Sequence, residues 1–414
     1  MRVWFVNQYA SFPSVGLPGR HYFLAKELKR YGVEAIVIAG SYNHLRRARI
    51  PFLGLSKLVD GDGVMFCLLK VFRYRHASSV TRVINWFLFA LLIFGAPFRL
   101  GRPDVIVYSS PSPLPYLSCW LLSKLLRCRV IFEVRDIWPL SIAELKGVSP
   151  THPLYLVLRA TEKFAYRTAH RLWSNLKYAD GHFKASGCRD MERFSWFPNG
   201  VLFEERKSVV PIGEAGESYR QVQKLGKEKL VFGYIGSMGE ANALDQLIAA
   251  IAIHNKSVED SDLVFVLVGD GQQKEALVEM SRQERLPNVH FFDSVPHLDV
   301  IGFIDLFDIC YLGTQPRKLY EFGVASLKLP EYMSMKKPIV HSAYRSVVAE
   351  AKCGFVVPPS DILALAETMS NLRKLSENEL AIMGQRGWQY AKREFDYNTI
   401  ASRMSAELKL CKRR

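Results

Sequence analysis

A lysine, a glycine and two glutamates lie close together in Tyr320–Val340, YEFGVASLKLPEYMSMKKPIV. Gly323 marks a turn, and Lys328 and Glu331 open a predicted helix. Glu321 precedes the turn, and Lys337-Pro338 leads into an apolar strand. A glycine lets backbone amides approach a ligand closely. A helix N-terminus offers unpaired N–H groups and positive potential, which suits a diphosphate. A glutamate one turn in could accept both hydroxyls of a ribose. The parts suit a nucleoside diphosphate.

A second glycine-rich turn, Gly236-Ser237-Met238-Gly239, follows an apolar strand and precedes Leu244-Asp245. Such a strand-to-helix turn cradles phosphate through backbone amides, although any tight turn of this kind uses glycine. No Arg or Lys lies between Gly236 and Asp245. Lys328 is therefore the main candidate cation, with Arg317 and Lys318 weaker ones; the alternative is a solvated surface lysine. Val268-Gly269-Asp270-Gly271 closes a further strand, either as a supporting turn or as a nucleotide contact.

In the first half, Glu133-Val134-Arg135-Asp136-Ile137-Trp138-Pro139 ends a strand. Buried Arg-Asp neighbours are costly unless paired, so Arg135 and Asp136 either act at a site or brace the loop. Trp138 either lines an acceptor pocket or covers the core. The run from Phe12 to His21, with Gly16, Gly19 and Arg20, links the first strand to the first helix. Arg20 could meet an anionic group there, or the run is an ordinary helix entry.

Taken together, these motifs resemble the family-4 glycosyltransferases, most closely a bacterial surface-polysaccharide branch. In that branch the segment at Tyr320 commonly reads YEFGVSPNKLFDYMAAGKPIV, and the one at Glu133 reads E-x-R-D-L-W-P. This chain differs at Ala325-Ser326-Leu327 and carries Glu331 where aspartate is frequent. The turn at Gly236 resembles the family's G-N-x-G-x-A-x-G-L-D, with Ser237 for asparagine and Ala243 for glycine. The resemblance implies a GT-B fold: α/β, two Rossmann-like doubly wound domains facing a cleft, with a C-terminal helix crossing back. It implies a retaining transferase that moves a sugar from a nucleotide diphosphate, with UDP expected, to a glycan or polyprenyl-diphosphate-linked acceptor. Gly236, Ser237, Gly239, Gly323, Ser326, Lys328, Leu329 and Glu331 would hold the donor, with Glu331 on the ribose. Arg135, Asp136 and Glu321 would serve the reaction, Glu321 near the transferred sugar. Gly16, Gly19, Arg20 and Trp138 would lie on the acceptor side. No cofactor, metal or strong protein base is implied, because the departing phosphate is thought to assist deprotonation of the acceptor. The rivals are a UDP-sugar epimerase of GT-B fold, a basic nucleic-acid-binding protein and a dinucleotide-dependent oxidoreductase. The second lacks RNP, KH and helix-turn-helix patterns, so no nucleic-acid partner is expected. The third lacks a clean G-x-G-x-x-G after either first strand.

The elements that position these motifs can be read from periodicity. The chain has 414 residues, 49% hydrophobic and 23% charged, enough for two domains. Strands are predicted at Val3–Asn7, Val33–Ala39, Asp104–Tyr108, Val130–Val134, Arg171–Ser174 and Phe194–Phe197, with helices between most of them. A second alternation begins at Leu230–Ile235 and runs to Phe355–Val357, before a helical tail from Leu363 to Leu410. The predicted division is an N-terminal domain over 1–203 and a linker with a helical piece over 204–228. A donor domain over 229–390 and a returning helix over 391–414 complete it. Asp60-Gly61-Asp62 looks like a metal-binding D-x-D, but no nucleotide motif accompanies it and a turn is expected. The ten histidines show no metal spacing.

Cys67, Cys119, Cys128, Cys188, Cys310, Cys353 and Cys411 are scattered, which fits a reducing compartment. The first apolar run is too short for a secretory signal, so a cytoplasmic protein is expected. A net charge of +15 favours phosphate-rich or anionic partners. Val83–Phe98, VINWFLFALLIFGAPF, is nearly all apolar. It is shorter than the ~20 residues of a spanning helix. A core helix is the default; a helix dipping into the inner membrane face is the alternative, with Phe87, Leu88, Leu91 and Leu92 inserted beside Arg73, Arg75 and Arg82.

Overall fold

Strands covered on both faces read as continuous apolar runs, and the runs at Val3–Val6 and Leu263–Val268 lie buried in parallel sheets. The computed structural model describes all residues except 44–47, 49, 75–79, 111, 204–209, 259–261 and 413–414. Arg75 and part of the predicted linker therefore lie outside the described residues. The chain forms two compact units, one of Met1–Gly200 with the segment that begins at Tyr397, the other of Val201–Asp396.

The first unit begins β1 (Arg2–Val6), α1 (Arg20–Leu28), β2 (Glu34–Gly40), β3 (Ser56–Gly61) and β4 (Val64–Leu69). It continues α2 (Val80–Leu92), α3 (Ala96–Leu100), β5 (Val105–Ser109), α4 (Tyr116–Leu125), β6 (Arg129–Val134), α5 (Leu140–Lys146), α6 (Pro153–Thr168), β7 (Arg171–Ser174), α7 (Asp180–Ala185) and β8 (Phe194–Trp196). Its eight strands lie in the order β3-β4-β2-β1-β5-β6-β7-β8. All pairs are parallel except β3–β4. That hairpin is an addition to the predicted strands. Its turn is Asp62-Gly63, both at positive φ, so Asp60 and Gly61 end β3 and Asp62 opens the turn. The two carboxylates accept backbone N–H groups, Asp60 from Gly63 at 2.8 Å and Asp62 from Ser14 at 2.9 Å.

The second unit contains α8 (Gly213–Leu225), β9 (Leu230–Ile235), α9 (Leu244–Ser257), β10 (Leu263–Val268), α10 (Lys274–Gln283) and β11 (Val289–Phe292). Then come α11 (Val300–Asp305), β12 (Ile309–Gly313), α12 (Lys328–Ser334), β13 (Ile339–Ser342), α13 (Val347–Ala351), β14 (Gly354–Val357), α14 (Ile362–Leu372) and α15 (Glu377–Glu394). Six parallel strands lie in the order β11-β10-β9-β12-β13-β14. Phe232, Tyr234, Phe265, Leu267 and Tyr311 on the sheet pack with Leu247 and Ile251 of α9 and Leu365 and Met369 of α14. Helix α8 belongs to this unit: its Tyr219 ring stands edge-on to Phe303 at 5.8 Å. The helical piece expected in the linker is α8, packed on the second unit.

The chain returns to the first unit as α16 (Tyr397–Cys411), six residues later than the sequence boundary at 391. Tyr397 stacks on Phe23 of α1 at 5.1 Å, and Tyr31 donates to Asn398 at 2.6 Å. Glu407 accepts from the Trp173 indole at 2.7 Å and the Ser195 hydroxyl at 2.5 Å. Replacing Glu407 by alanine removes the acceptor of two donors and should cost about 2–3 kcal/mol. Urea denaturation monitored by tryptophan fluorescence checks this, and an unchanged midpoint would show that water replaces the carboxylate without loss.

Candidate functional site

In open α/β sheets ligands bind beyond the carboxyl ends of the strands, and the motifs of both units gather at such ends. In the second unit β9 ends at Ile235 and its chain turns through Gly236 at φ +142°. A side chain there would be strained. It would also meet Lys328, because a Cβ on Gly236 would lie 2.2 Å from the Lys328 Cε. The space that Gly236 leaves is filled by the lysine stem. The adjoining turn is equally tight, since a Cβ on Gly269 would lie 1.9 Å from the Gly236 carbonyl oxygen. Three backbone bonds zip the two loops: Gly236 N–H to Val268, Met238 N–H to Asp270 and Gln273 N–H to Met238, at 2.8 to 3.0 Å.

Lys328 is partly buried and points across this turn. Its ammonium donates to Asn242 Oδ1 at 3.0 Å and stands 5.1 Å from the centroid of the Tyr234 ring. Burial brings its pKa down to about 8, opposed by the negative charge of Glu331. Among the described residues its hydrogen-bond partner is the neutral Asn242, and a desolvated cation so placed favours an anion. Tyr332 of α12 accepts the Ile235 N–H at 3.2 Å, which ties the lysine-bearing helix to the end of β9. Tyr234, Asn242 and Tyr332 were not singled out in the sequence. The signal was available only as their place beside the glycine turn and Lys328.

The remaining donor-side candidates divide by environment. Glu331 is partly buried and Glu321 exposed, the latter on a 3-10 turn over Lys318–Phe322 that ends at Gly323. Gly323 has φ +94°, so glycine is required there. The Ser326 hydroxyl accepts the Lys328 N–H at 3.1 Å and thereby sets the start of α12. Leu329 is buried, so its backbone alone is available to a ligand. Arg317 pairs with the exposed Glu240 carboxylate, and Lys318 is exposed. Ala243, which stands in place of the family's glycine, holds the left-handed conformation at φ +48° that the turn demands.

The first unit gathers a buried charged cluster at the ends of β5 and β6. Glu133 is fully buried, and Arg20 donates to its Oε1 through Nε at 3.0 Å and Nη2 at 2.9 Å. A third Arg20 donor is taken by the Pro198 carbonyl. His21 Nε2 lies 3.5 Å from Glu133 Oε2. Burial alone would raise the Glu133 carboxyl, but Arg20 and the His21 and Ser109 hydrogen bonds outweigh it and hold it well below the usual carboxylate range. Burial lowers His21, with Glu133 opposing. The sequence reading that Arg20 meets an anionic ligand is corrected: its guanidinium is consumed inside the fold, joining α1 to the end of β6. Gly16 is extended at φ +169°, and a Cβ on Gly19 would meet nothing within 4 Å. Neither glycine is imposed by the backbone.

Arg135 and Asp136 follow directly. Asp136 reaches the surface yet sits where desolvation raises its carboxyl, with Arg135 and Arg82 opposing, and Arg135 is partly buried, so the two are not a fully buried couple. The Arg135 N–H donates to Ser110 Oγ at 3.2 Å, and its Nε has no partner among the described residues. Trp138 stands edge-on to Trp86 at 5.3 Å and packs on the cluster of Trp86, Leu114, Ile142 and Leu158. It covers the core, while its buried indole N–H has no partner among the described residues.

Two family models match the chain: "Glycosyl transferase 4-like domain" over residues 21–200 and "Glycosyl transferases group 1" over residues 229–374. Comparison with curated proteins by sequence finds no match. Among solved structures the chain is similar to a sucrose-phosphate synthase from Thermosynechococcus elongatus, with 14% identity, TM-score 0.72, and 99% and 98% of the two chains covered. It is similar to Anabaena HepE in complex with UDP, with 16% identity, TM-score 0.67, and 99% and 100% covered. WaaG, a glycosyltransferase involved in lipopolysaccharide biosynthesis, shows 16% identity and TM-score 0.65, with 98% and 99% covered.

The buried Arg20–Glu133 pair gives a test of the first unit. Arg20→Met or Glu133→Leu alone leaves a buried charge uncompensated and should cost about 3–5 kcal/mol. The double variant should cost clearly less than the sum, and an additive result in urea denaturation would show that the two groups do not act as a pair. The paired doubly wound units, the two matched family models and the likeness over nearly the whole length to GT-B structures converge: the chain belongs to the family-4 glycosyltransferases of GT-B fold and is a glycosyltransferase.

Proposed function

We propose that the chain is a retaining transferase that moves a sugar from UDP to a hydroxyl of a glycan or polyprenyl-diphosphate-linked acceptor. We place it in surface-polysaccharide synthesis at the cytoplasmic face of the membrane. The observation that carries the donor side is the Lys328 ammonium, desolvated and held between the Gly236 turn and the Tyr234 ring. Support for UDP comes from Anabaena HepE, whose structures hold UDP and UDP-glucose. Support for the pathway comes from WaaG.

In this reading the diphosphate lies over the Gly236–Gly239 turn. Lys328 and the backbone amides of Ser237 and Gly239 stabilise the charge that grows on it as the glycosidic bond breaks. Ser326 holds the lysine-bearing helix, and Gly323 lets the chain pass close to the sugar. Glu331 accepts the ribose hydroxyls, and Glu321 lies by the transferred sugar. On the acceptor side Asp136, Arg135 and the Gly16–Gly19 loop contact the incoming molecule, with Trp138 as the floor beneath them. The departing phosphate oxygen takes the acceptor proton.

A donor screen with membranes as acceptor source tests the reaction. A new saccharide with release of UDP supports transfer. Conversion of the UDP-sugar without an acceptor would instead mark an epimerase. Glu331→Gln should weaken UDP about tenfold or more, using ~1.5–3 kcal/mol for a charged hydrogen bond, and unchanged calorimetric affinity would remove it from the ribose.

Lys328 gives a pH signature. Its pKa in the free protein is about 8, and a bound diphosphate favours the protonated form. UDP affinity should therefore be full below about 8 and fall above it, by up to about tenfold per pH unit, while uridine affinity stays level. Lys328→Gln should flatten the UDP profile. Parallel profiles for UDP and uridine, or an unflattened profile in Lys328→Gln, would remove the lysine from the diphosphate.

A further inference from the structure

The sequence left the apolar run at Val83–Phe98 as either a core helix or a membrane-dipping one. The structure shows that it has two apolar sides. Trp86, Phe89 and Ile93 are buried in the first unit, while Phe87, Leu91 and Phe98 face solvent, Phe98 at 92% exposure. The neighbouring helix repeats the pattern. On α4, Leu122 and Cys119 are buried, whereas Leu117, Leu121 and Leu125 are exposed at a spacing of four residues, hence on one face. Helices α2–α3 and α4 are successive crossovers, β4 to β5 and β5 to β6, which progress the same way across the sheet. Right-handed crossovers of that kind lie in one layer, and α4 packs directly beside α2 and the turn after it.

The charges around this layer are of one sign. Arg99, Arg102, Lys124 and Arg127 are all exposed at the C-terminal ends of α3 and α4. Arg102 Nη2 donates to the Arg127 carbonyl at 2.9 Å, which brings the two ends together as one basic cluster. From residue 80 to 128 the sole acid is Asp104, and it is occupied, accepting the Arg2 N–H at 2.8 Å with Lys412 at 3.8 Å. Arg82, which the sequence placed among the membrane-facing cations, is instead drawn inward, donating to the Tyr9 hydroxyl at 2.9 Å and lying over the Trp86 ring.

We infer that the outer face of α2, α3 and α4 is one surface that docks on an anionic lipid bilayer, with the apolar side chains of both helices inserted and the basic cluster on the headgroups. The inference rests on the reading of a membrane-borne acceptor for its purpose, but not for its measurement. Charge selects the occupant: a second copy of the chain pairing through this face would bring its own cations and no acid to meet them. The segment Thr81–Leu100 is long and apolar enough to cross a bilayer by composition. It is anchored in the fold by its buried side, where Asn85 exchanges hydrogen bonds with the backbone of Phe72 at 2.8 and 2.9 Å. It therefore lies in the interface rather than spanning it.

The test is co-sedimentation of the full chain with phosphatidylcholine vesicles containing or lacking phosphatidylglycerol, without nucleotide. Binding should require the anionic lipid and weaken at high salt. Phe87→Glu/Leu91→Glu and Leu121→Glu/Leu125→Glu should each lower the bound fraction more than tenfold. Arg99→Gln and Lys124→Gln should each lower it about fivefold. UDP affinity of every variant, measured separately, should match the parent; its loss would fault the donor site rather than the docking surface. Reporter variants Phe87→Trp and Leu121→Trp keep the face apolar, and both should be quenched by brominated lipid. Loss of binding with the α2 pair but not the α4 pair, or quenching at position 87 alone, would overturn the two-helix surface. Equal binding by all variants would overturn it too, as would conversion of a dimer to a monomer by the same substitutions without any vesicle binding.

Discussion

A lysine stem lying in the space of an absent side chain organises the second unit. Gly236 must be glycine for its backbone angle and for the stem of Lys328, and Gly269 must be glycine to clear the Gly236 carbonyl. These demands fall on two adjoining turns because the ends of β9 and β10 and the start of α12 converge there. The convergence strips water from the ammonium and lowers its pKa. Among the described residues Asn242, the Tyr234 ring face and the charge of Glu331 accompany it, and a desolvated cation gains more from a further anion than an exposed lysine does. Preorganisation and desolvation are the same packing seen from two sides.

The first unit spends its charges differently. Arg20 and Glu133 sit at a strand end where a ligand-binding pair would be expected, yet they neutralise each other. Their work is to hold the entrance of α1 against β6, with a third Arg20 bond reaching Pro198. What stays open to solvent is Asp136, one turn of chain further on. The buried pair thus fixes the backbone from which Asp136 projects.

How far the sequence reached follows from this division. Most parallel strands were legible because double burial makes them continuously apolar, as in Leu263–Val268, but β4, VMFCLL, was missed although it pairs parallel with β2. The β3–β4 hairpin was not legible, because β3, SKLVDG, is largely exposed and mixes charge with single apolar residues. The glycine turns and Lys328 stood out as a pattern, while Tyr234, Asn242 and Tyr332 did not. Their importance lies in distances across 86 and 97 positions of chain, which spacing cannot reveal. Arg20 was misplaced for a related reason: a helix-start arginine looks alike whether it meets a ligand or a buried carboxylate, and only the burial of Glu133 decides.

The apolar run at Val83–Phe98 posed a choice between core and surface that hydropathy could not make. A helix covering a sheet needs one apolar stripe; this one has a second, and so has α4. A second stripe on a single helix would be an ordinary irregularity, since scattered surface apolar residues are common. Two adjacent helices with matching outward stripes, whose ends share a cluster of cations and whose only acid is already paired, are harder to maintain by chance. Water penalises such a surface at every moment that it is uncovered, while an anionic leaflet rewards both its apolar and its basic parts. The same helices thus serve the sheet on one side and, on the other, a surface that the sheet does not need.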